Sequence, residues 1–286
     1  MRREVVAGIL GILICSTFTG CVGTPVVYNS TCENTTEIVK ATEKKNIRNQ
    51  EEKTGISIWL SANDSTSANA DAQGSIVYDV TMAAVCVDED GVITSCVIDS
   101  IPASVAFDQE GKITTDLNVE IISKNELGEA YGMKAYGGAS YEWNEQVAAL
   151  ANYAVGKTVE ELKMGAIDEH GKAKDADLAS VATIYLGNYV SIIEEAVNQA
   201  TYLGAKQGDV LYLEAESNLK NSKSSTDEED GVAQLDAKIT AWTQRDDNVT
   251  SSLVHEVQAK VGFNDQGGIT TDLEQEIQRE KESEEG

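Results

Sequence analysis

Histidine is nearly absent from this 286-residue chain, and the two present, His170 and His255, stand far apart. No Cys/His cluster therefore has metal-ligand spacing. GxSxG, HExxH, P-loop and dinucleotide-binding glycine patterns are missing too, so hydrolysis by an activated nucleophile has no residues to carry it. His170 belongs to a hydrophilic turn, Asp168-Glu169-His170-Gly171, where solvation accounts for it. Asp88-x-Asp90-Gly91 lacks the downstream glutamate of a calcium loop, so calcium is not expected there. Basic side chains are scarce: 22 Lys and Arg stand against 48 Asp and Glu, a net charge of −26. Without a basic stripe to displace counterions, nucleic acid and an anionic lipid surface are poor partners. Of five cysteines, Cys15, Cys21 and Cys32 precede the body of the chain and only Cys86 and Cys96 lie within it.

What is present begins with a leader. Arg2 and Arg3 precede the apolar run VVAGILGILICSTF, Val5 to Phe18, which is too short to span a bilayer comfortably. Phe18-Thr19-Gly20-Cys21 then places small residues before a cysteine. This arrangement resembles a bacterial lipoprotein signal, with Phe18 where that pattern usually has an aliphatic residue. The resemblance implies that Cys21 becomes the lipidated first residue of an exported protein anchored to the outer face of the cell membrane. Residues 22–52, rich in Thr, Asn, Glu and Lys, read as a flexible tether. The last thirteen residues, from Glu274, read as a solvated acidic tail.

The body of the chain repeats part of itself. FDQEGKITTDL (Phe107 to Leu117) and FNDQGGITTDL (Phe263 to Leu273) agree at seven of eleven positions. The register runs backward without a gap: Asp90 falls on Asp246, Thr94-Ser95 on Thr250-Ser251, and Cys86 and Cys96 on Trp242 and Ser252. Further upstream GISIWLSA from Gly55 resembles GDVLYLEA from Gly208. Because the second copy carries no cysteine pair, the fold does not depend on a Cys86–Cys96 bridge; a cross-strand disulfide and two buried thiols both remain open. Each copy (53–117 and 207–273) reads as a small antiparallel meander built on β-branched runs and Asp/Gly turns. Two copies of that length suit a duplication better than a solenoid.

Between the copies the period changes to that of helices. Tyr141 to Val155 and Val190 to Leu203 each align apolar residues on one face, Gly204 closing the second, and Thr158-x-x-Glu161 is a capping box. The expected class is α+β: duplicated antiparallel β meanders packed on a central helical segment, with the second copy against the helices of residues 118–204. The expected units are a signal (1–21), the tether (22–52), an α+β domain (53–205), the second β unit (206–273) and the tail (274–286).

Two segments place small residues and a hydroxyl ahead of a helix start, where backbone N–H groups can meet a phosphate. One is KAYGGASYEW, with Gly138, Ala139 and Ser140; the other is DLASVATIY, with Asp177, Ser180, Ala182 and Thr183. Here the chain resembles the FMN-binding domain family of exported bacterial redox proteins, whose attachment motif runs Asp-x-x-Ser-Gly-Ala-Thr-x-Ser/Thr. Asp177, Ser180, Ala182 and Thr183 match, Val181 and Tyr185 depart; in the other copy Lys134 and Glu142 depart. The resemblance covers roughly residues 74–204. It implies an electron carrier whose FMN is linked through Thr183, or else Ser140, by a partner flavin transferase, with further redox partners at the cell surface. KNELGEAYGMK from Lys124, EWNEQ from Glu142 and VGKTVEEL from Val155 also resemble uncharacterised Firmicutes-type surface lipoproteins. That likeness assigns no chemistry. Gly137-Gly138 and Ser140 equally suit a plain turn and helix N-cap, and Thr183 suits a strand. The second reading is therefore a surface binding or structural lipoprotein without its cofactor, and neither reading makes the chain an enzyme in its own right.

Overall fold

The computed structural model describes residues 50–273. The signal, nearly all of the tether and the acidic tail lie outside the described residues. Strand β1 (Glu51–Ser61) begins inside the stretch read as tether. It is followed by β2 (Gly74–Val87) and β3 (Ile93–Phe107). Six α-helices come next, with a 3-10 turn (Gly128–Tyr131) between the first two: α1 (Lys124–Leu127), α2 (Met133–Gly137), α3 (Trp143–Ala154), α4 (Val159–Ala166), α5 (Ala176–Val181) and α6 (Gly187–Asn198). Strands β4 (Thr201–Lys206), β5 (Val210–Asn218), β6 (Gly231–Arg245) and β7 (Asn248–Phe263) complete the described chain. The strands form two antiparallel sheets, ordered β3-β2-β1-β4 and β5-β6-β7, so the class is α+β with duplicated meanders.

The order of the layers differs from the expectation. The helices cover one outer flank, the four-stranded sheet lies in the middle, and the second meander packs on that sheet's far face. Strand β2 shows why. Its even residues Ile76, Tyr78, Val80 and Met82 point into a core shared with Leu235, Ile239 and Val261 of the second sheet. Its odd residues Ala83, Val85 and Val87 point into a second core with Leu150, Leu162 and Ile193 of the helices. A strand apolar on both faces is built for a middle layer, as parallel-sheet strands are. The second sheet alternates instead, burying Leu235, Ala237, Ile239 and Ala241 while Lys238 and Glu256 face solvent. It has one apolar face and needs only one neighbour. Trp242 and Val254 fall on its outer face, where Trp242 stacks on Tyr212 with centroids 5.1 Å apart.

Local signals set the helix ends. Thr158 and Glu161 make the expected reciprocal capping box for α4. Helix α3 starts at Trp143, because Glu142 rather than Ser140 is its N-cap and closes a box with Glu145. Helix α6 stops at Asn198, short of the expected Leu203. The chain then enters β4, where Gly204 has φ +107 and a Cβ would sit 2.6 Å from the Thr250 carbonyl oxygen. Only glycine fits that backbone and that approach.

The two meanders superpose in register. Ser61 lies opposite Asp79, and Asn218 opposite Asp236; Gly74 lies opposite Phe107, and Gly231 opposite Phe263. Ser61 therefore corresponds to Asn218, whereas matching Gly55 to Gly208 would have set it on Glu214. The gapless register also breaks at the hairpin: Cys86 corresponds to Thr243, because the Asp88–Val92 turn is longer than the two-residue turn at Asp246-Asp247. Both copies carry a β-bulge at the same place, between Cys86 and Val87 and between Thr243 and Gln244. Their loops then interlock reciprocally. Ser225 N–H donates to the Gly111 carbonyl and Ala68 N–H to that of Gly267, both at 2.8 Å. Ile113 N–H donates to Ser224 Oγ at 2.9 Å, and Ile269 N–H to Ser67 Oγ at 3.0 Å.

Candidate functional site

The two segments that could hold a phosphate meet on one side chain. Gln146, buried on α3, accepts from Thr183 N–H at 2.8 Å, Ile184 N–H at 3.1 Å and the Thr183 hydroxyl at 3.2 Å through its Oε1. Its Nε2 donates to the Tyr141 carbonyl at 3.0 Å, beside Ser140. A single amide thus ties the DLASVATIY segment to the KAYGGASYEW segment. Thr183 is exposed and lies in neither a strand nor a helix. Asp177 and Ser180 are exposed on α5, capped by Asp175, and the Ser180 hydroxyl donates back to the Asp177 carbonyl at 2.6 Å. Ala182 is buried. Gly138, with φ +68, ends α2, and Ala139 and Ser140 follow in the link to α3.

Several N–H groups around these segments already have partners. The buried carboxylate of Glu142 sits at the start of α3 and accepts from Met133 N–H at 2.8 Å and Lys134 N–H at 3.1 Å. The Glu145 carboxylate accepts from Glu142 N–H at 2.7 Å. Two carboxylates at one helix N-terminus satisfy its dipole and repel a third anion. At α6, Leu186 and Gly187 N–H both donate to the Gly171 carbonyl. The residues present therefore do not fit a phosphate at Ser140, and at Thr183 both the N–H and the hydroxyl are already bonded to Gln146.

Around the aromatic residues the structure is filled. Trp143 is 3% exposed, and its indole N–H donates to the Tyr189 hydroxyl at 3.0 Å with the rings edge-to-face. Tyr136, by contrast, is 87% exposed. The Lys124 ammonium lies 5.1 Å from the Trp143 ring centroid and 5.4 Å from that of Tyr131, paired to Asp79 at 3.4 Å. Burial pulls the Lys124 pKa down, but Asp79 and the neighbouring phenols outweigh it and the net shift is upward. Asp79 also accepts from the Ser100 hydroxyl at 2.7 Å. Asp99 beside it accepts from Ser100 N–H at 2.7 Å and Asn125 N–H at 3.0 Å, and burial pushes its pKa to about 6. Sequence reasoning missed this buried polar seam under α1. Its one signal was an Asp79 and an Asp99-Ser100 step inside runs that otherwise read as apolar strand. A cleft of about 10 Å³ beside it, lined by Ile98, Asn125, Asn144 and Val147, has room for one water.

Cys86 and Cys96 are both free thiols. Cys86 faces the core between the sheets and Cys96 the helix side. Asp88 caps its own turn, its Oδ1 accepting from Asp90 and Val92 N–H. Among the described residues no group of three or more His, Cys, Asp and Glu is placed to hold a metal ion. No family model, no curated protein and no solved structure matches this chain.

Proposed function

We propose that this protein is an exported, membrane-tethered lipoprotein that binds or scaffolds at the cell surface and does not carry a flavin. The observation that supports this reading is the filled site: Trp143 is core, and carboxylates occupy the α3 N-terminus where a phosphate would bind. The body is a three-layer scaffold whose second sheet turns a broad polar face, bearing the Tyr212–Trp242 pair, to solvent. Co-expression with a flavin transferase tests the reading. Intact mass should show no FMN adduct, and the denatured band should not fluoresce; a covalent adduct on the wild type would overturn it.

The exposed Thr183 hydroxyl favours a second reading, an FMN-bearing electron carrier at the cell surface. Under it Thr183→Ala abolishes labelling while Ser140→Ala does not. Equal absence of label in wild type and Thr183→Ala removes covalent FMN, and failure of the protein to take up FMN on soaking removes the non-covalent form. Anchoring rests on Cys21, where diacylglycerol and a further acyl chain would hold more firmly than a single chain. Cys21→Ser should release the protein from the membrane fraction or leave its leader uncleaved; unchanged partitioning would reject lipidation.

A further inference from the structure

The duplicated meanders place two carboxylates at corresponding points. Lys53 lies opposite Val87 and Val210 opposite Gln244, so the residues just before them, Glu52 and Asp209, are equivalent, as are the residues just after, Asp88 and Arg245. The bulges likewise make Thr94 equivalent to Thr250. In the second copy the set includes a cation. Asp209 pairs with the Arg245 guanidinium, accepts from the Thr250 hydroxyl at 2.6 Å and accepts from Lys206 N–H at 2.9 Å. In the first copy the position of the cation holds another acid, Asp88. Glu52 is only 2% exposed, and no hydrogen bond of good geometry reaches its Oε1. A buried acid without a cation is costly when charged and inexpensive when neutral.

We infer that Glu52 is the proton-binding half of a pH-sensitive latch between the two meanders, closed while its carboxyl is neutral and loosened when it ionises. The groups facing it come from every neighbouring element: Asp88 and Cys86 from the β2 end, Thr94 from β3, Asp209 from the β4–β5 link and Arg245 from β6. Burial is the main cause that raises the Glu52 pKa; Thr94 lowers it, Asp209 and Asp88 raise it further, and Arg245 lowers it. Since the folded pKa is raised, the latch contributes stability fully below the ordinary value of 4.5 and loses it as pH rises through the folded value. The closing contacts lie beside it: the Thr54 hydroxyl meets Ser251 Oγ at 2.9 Å across the two sheets, and Ser251 Oγ meets the Thr243 hydroxyl at 2.7 Å. Cys86 is fully buried in the same seam and reports its opening.

The test is alkylation of Cys86 by iodoacetamide between pH 5 and 8, read by peptide mass in the full chain. An Asp99→Asn background removes the other raised carboxylate. Variants are compared at equal pH; Glu52→Gln also removes a charge that raises the Cys86 pKa, which by itself would speed alkylation, so a slowing reports closure of the seam and not the thiol's own titration. Glu52→Gln, neutral at every pH, should slow Cys86 alkylation several-fold at pH 8 and progressively less as pH falls, while Cys96 alkylation does not change. Asp88→Asn keeps the acceptor that caps the turn, as Asn264 does in its own turn, and removes one repelling charge. It should shrink the pH dependence. Equal Cys86 rates in wild type and both variants across the range would overturn the proposal, as would a Glu52 carboxyl that titrates by NMR at the ordinary glutamate value.

Discussion

Phe107 and Phe263 stack face to face where the two meanders meet, with ring centroids 4.3 Å apart and planes 15° from parallel. They are equivalent residues of the duplication, and both are fully buried. Each also lies over a glycine of its own copy: a Cβ on Gly74 would sit 2.3 Å from the Phe107 ring, and one on Gly231 2.4 Å from that of Phe263. Truncating either ring removes a large buried surface and leaves a cavity. Phe107→Ala or Phe263→Ala should each cost about 3–5 kcal/mol in urea unfolding. The double variant should cost less than the sum, by about 0.5–1.5 kcal/mol, because the ring pair is lost only once. Strict additivity would mean the stacking adds nothing beyond burial. Gly74→Ala should destabilise as well, and Phe107→Leu in the same chain should relieve part of that loss.

The second sheet and the first share one core, so they should melt together. Deleting residues 206–273 would bare Ile76, Tyr78, Val80, Met82 and Val105, all fully buried in the intact protein. The shortened chain should bind a hydrophobic dye and lose its cooperative transition. A shortened protein melting at the temperature of the full chain would instead establish two independent units.

Asp99 sets a pH dependence opposite to ordinary acid denaturation. Its folded pKa of about 6 lies above the unfolded 3.8, so its contribution is fully present below pH 4 and is lost as pH rises through about 6. The shift corresponds to a loss of about 2–3 kcal/mol across that window. Asp99→Asn should flatten the stability profile between pH 4 and 7; an unchanged slope would assign the dependence elsewhere.

What the sequence disclosed followed from local pattern. The duplication, the α+β class and the Thr158–Glu161 box are written in adjacent residues and appear in the structure, the duplication with its register moved through β1 and β2. The layer order was not legible, because β2 spreads apolar residues over both faces and a linear reading cannot say which sheet face meets which partner. The extent of α6 was misread because Leu203 and Gly204 continue a helical pattern that pairing with β1 overrides. At the candidate site the spacing identified both loops, but not that Gln146 joins them or that Glu142 caps α3. Those depend on partners distant in sequence or on a carboxylate that also reads as ordinary helix surface.

Register decides the cysteines. Cys86 lies opposite Ser95 and Cys96 opposite Val85. The two thiols are one step out of line on neighbouring strands, so they project to opposite faces of the sheet and cannot join without breaking the pairing. Burial pushes the Cys96 thiol up to about 12 and raises that of Cys86 as well, which suppresses the reactive thiolate. Cys96 should not react with a thiol reagent in the native protein at pH 7, and both thiols should react in denaturant without prior reduction. A reductant requirement would reveal a disulfide.

Gln146 is the residue on which the candidate loops depend. Its amide carries the bonds to Thr183 N–H, Ile184 N–H, the Thr183 hydroxyl and the Tyr141 carbonyl, with almost no exposure to water. Gln146→Ala strands those groups around a small cavity, and each buried polar group left unpaired costs on the order of 1–3 kcal/mol. Part of that is recovered as water enters beside exposed Thr183, so the net loss should be about 2–3 kcal/mol. Hydrogen exchange should show where it falls: faster exchange at Thr183 and Ile184, with the β2–β3 and β6–β7 ladders still protected. Gln146→Glu separates geometry from charge. It keeps an acceptor for the two N–H groups but loses the donor to Tyr141, so exchange at Thr183 should stay slow while the link before α3 loosens. If both variants exchange alike at Thr183, the amide oxygen is not what holds that loop.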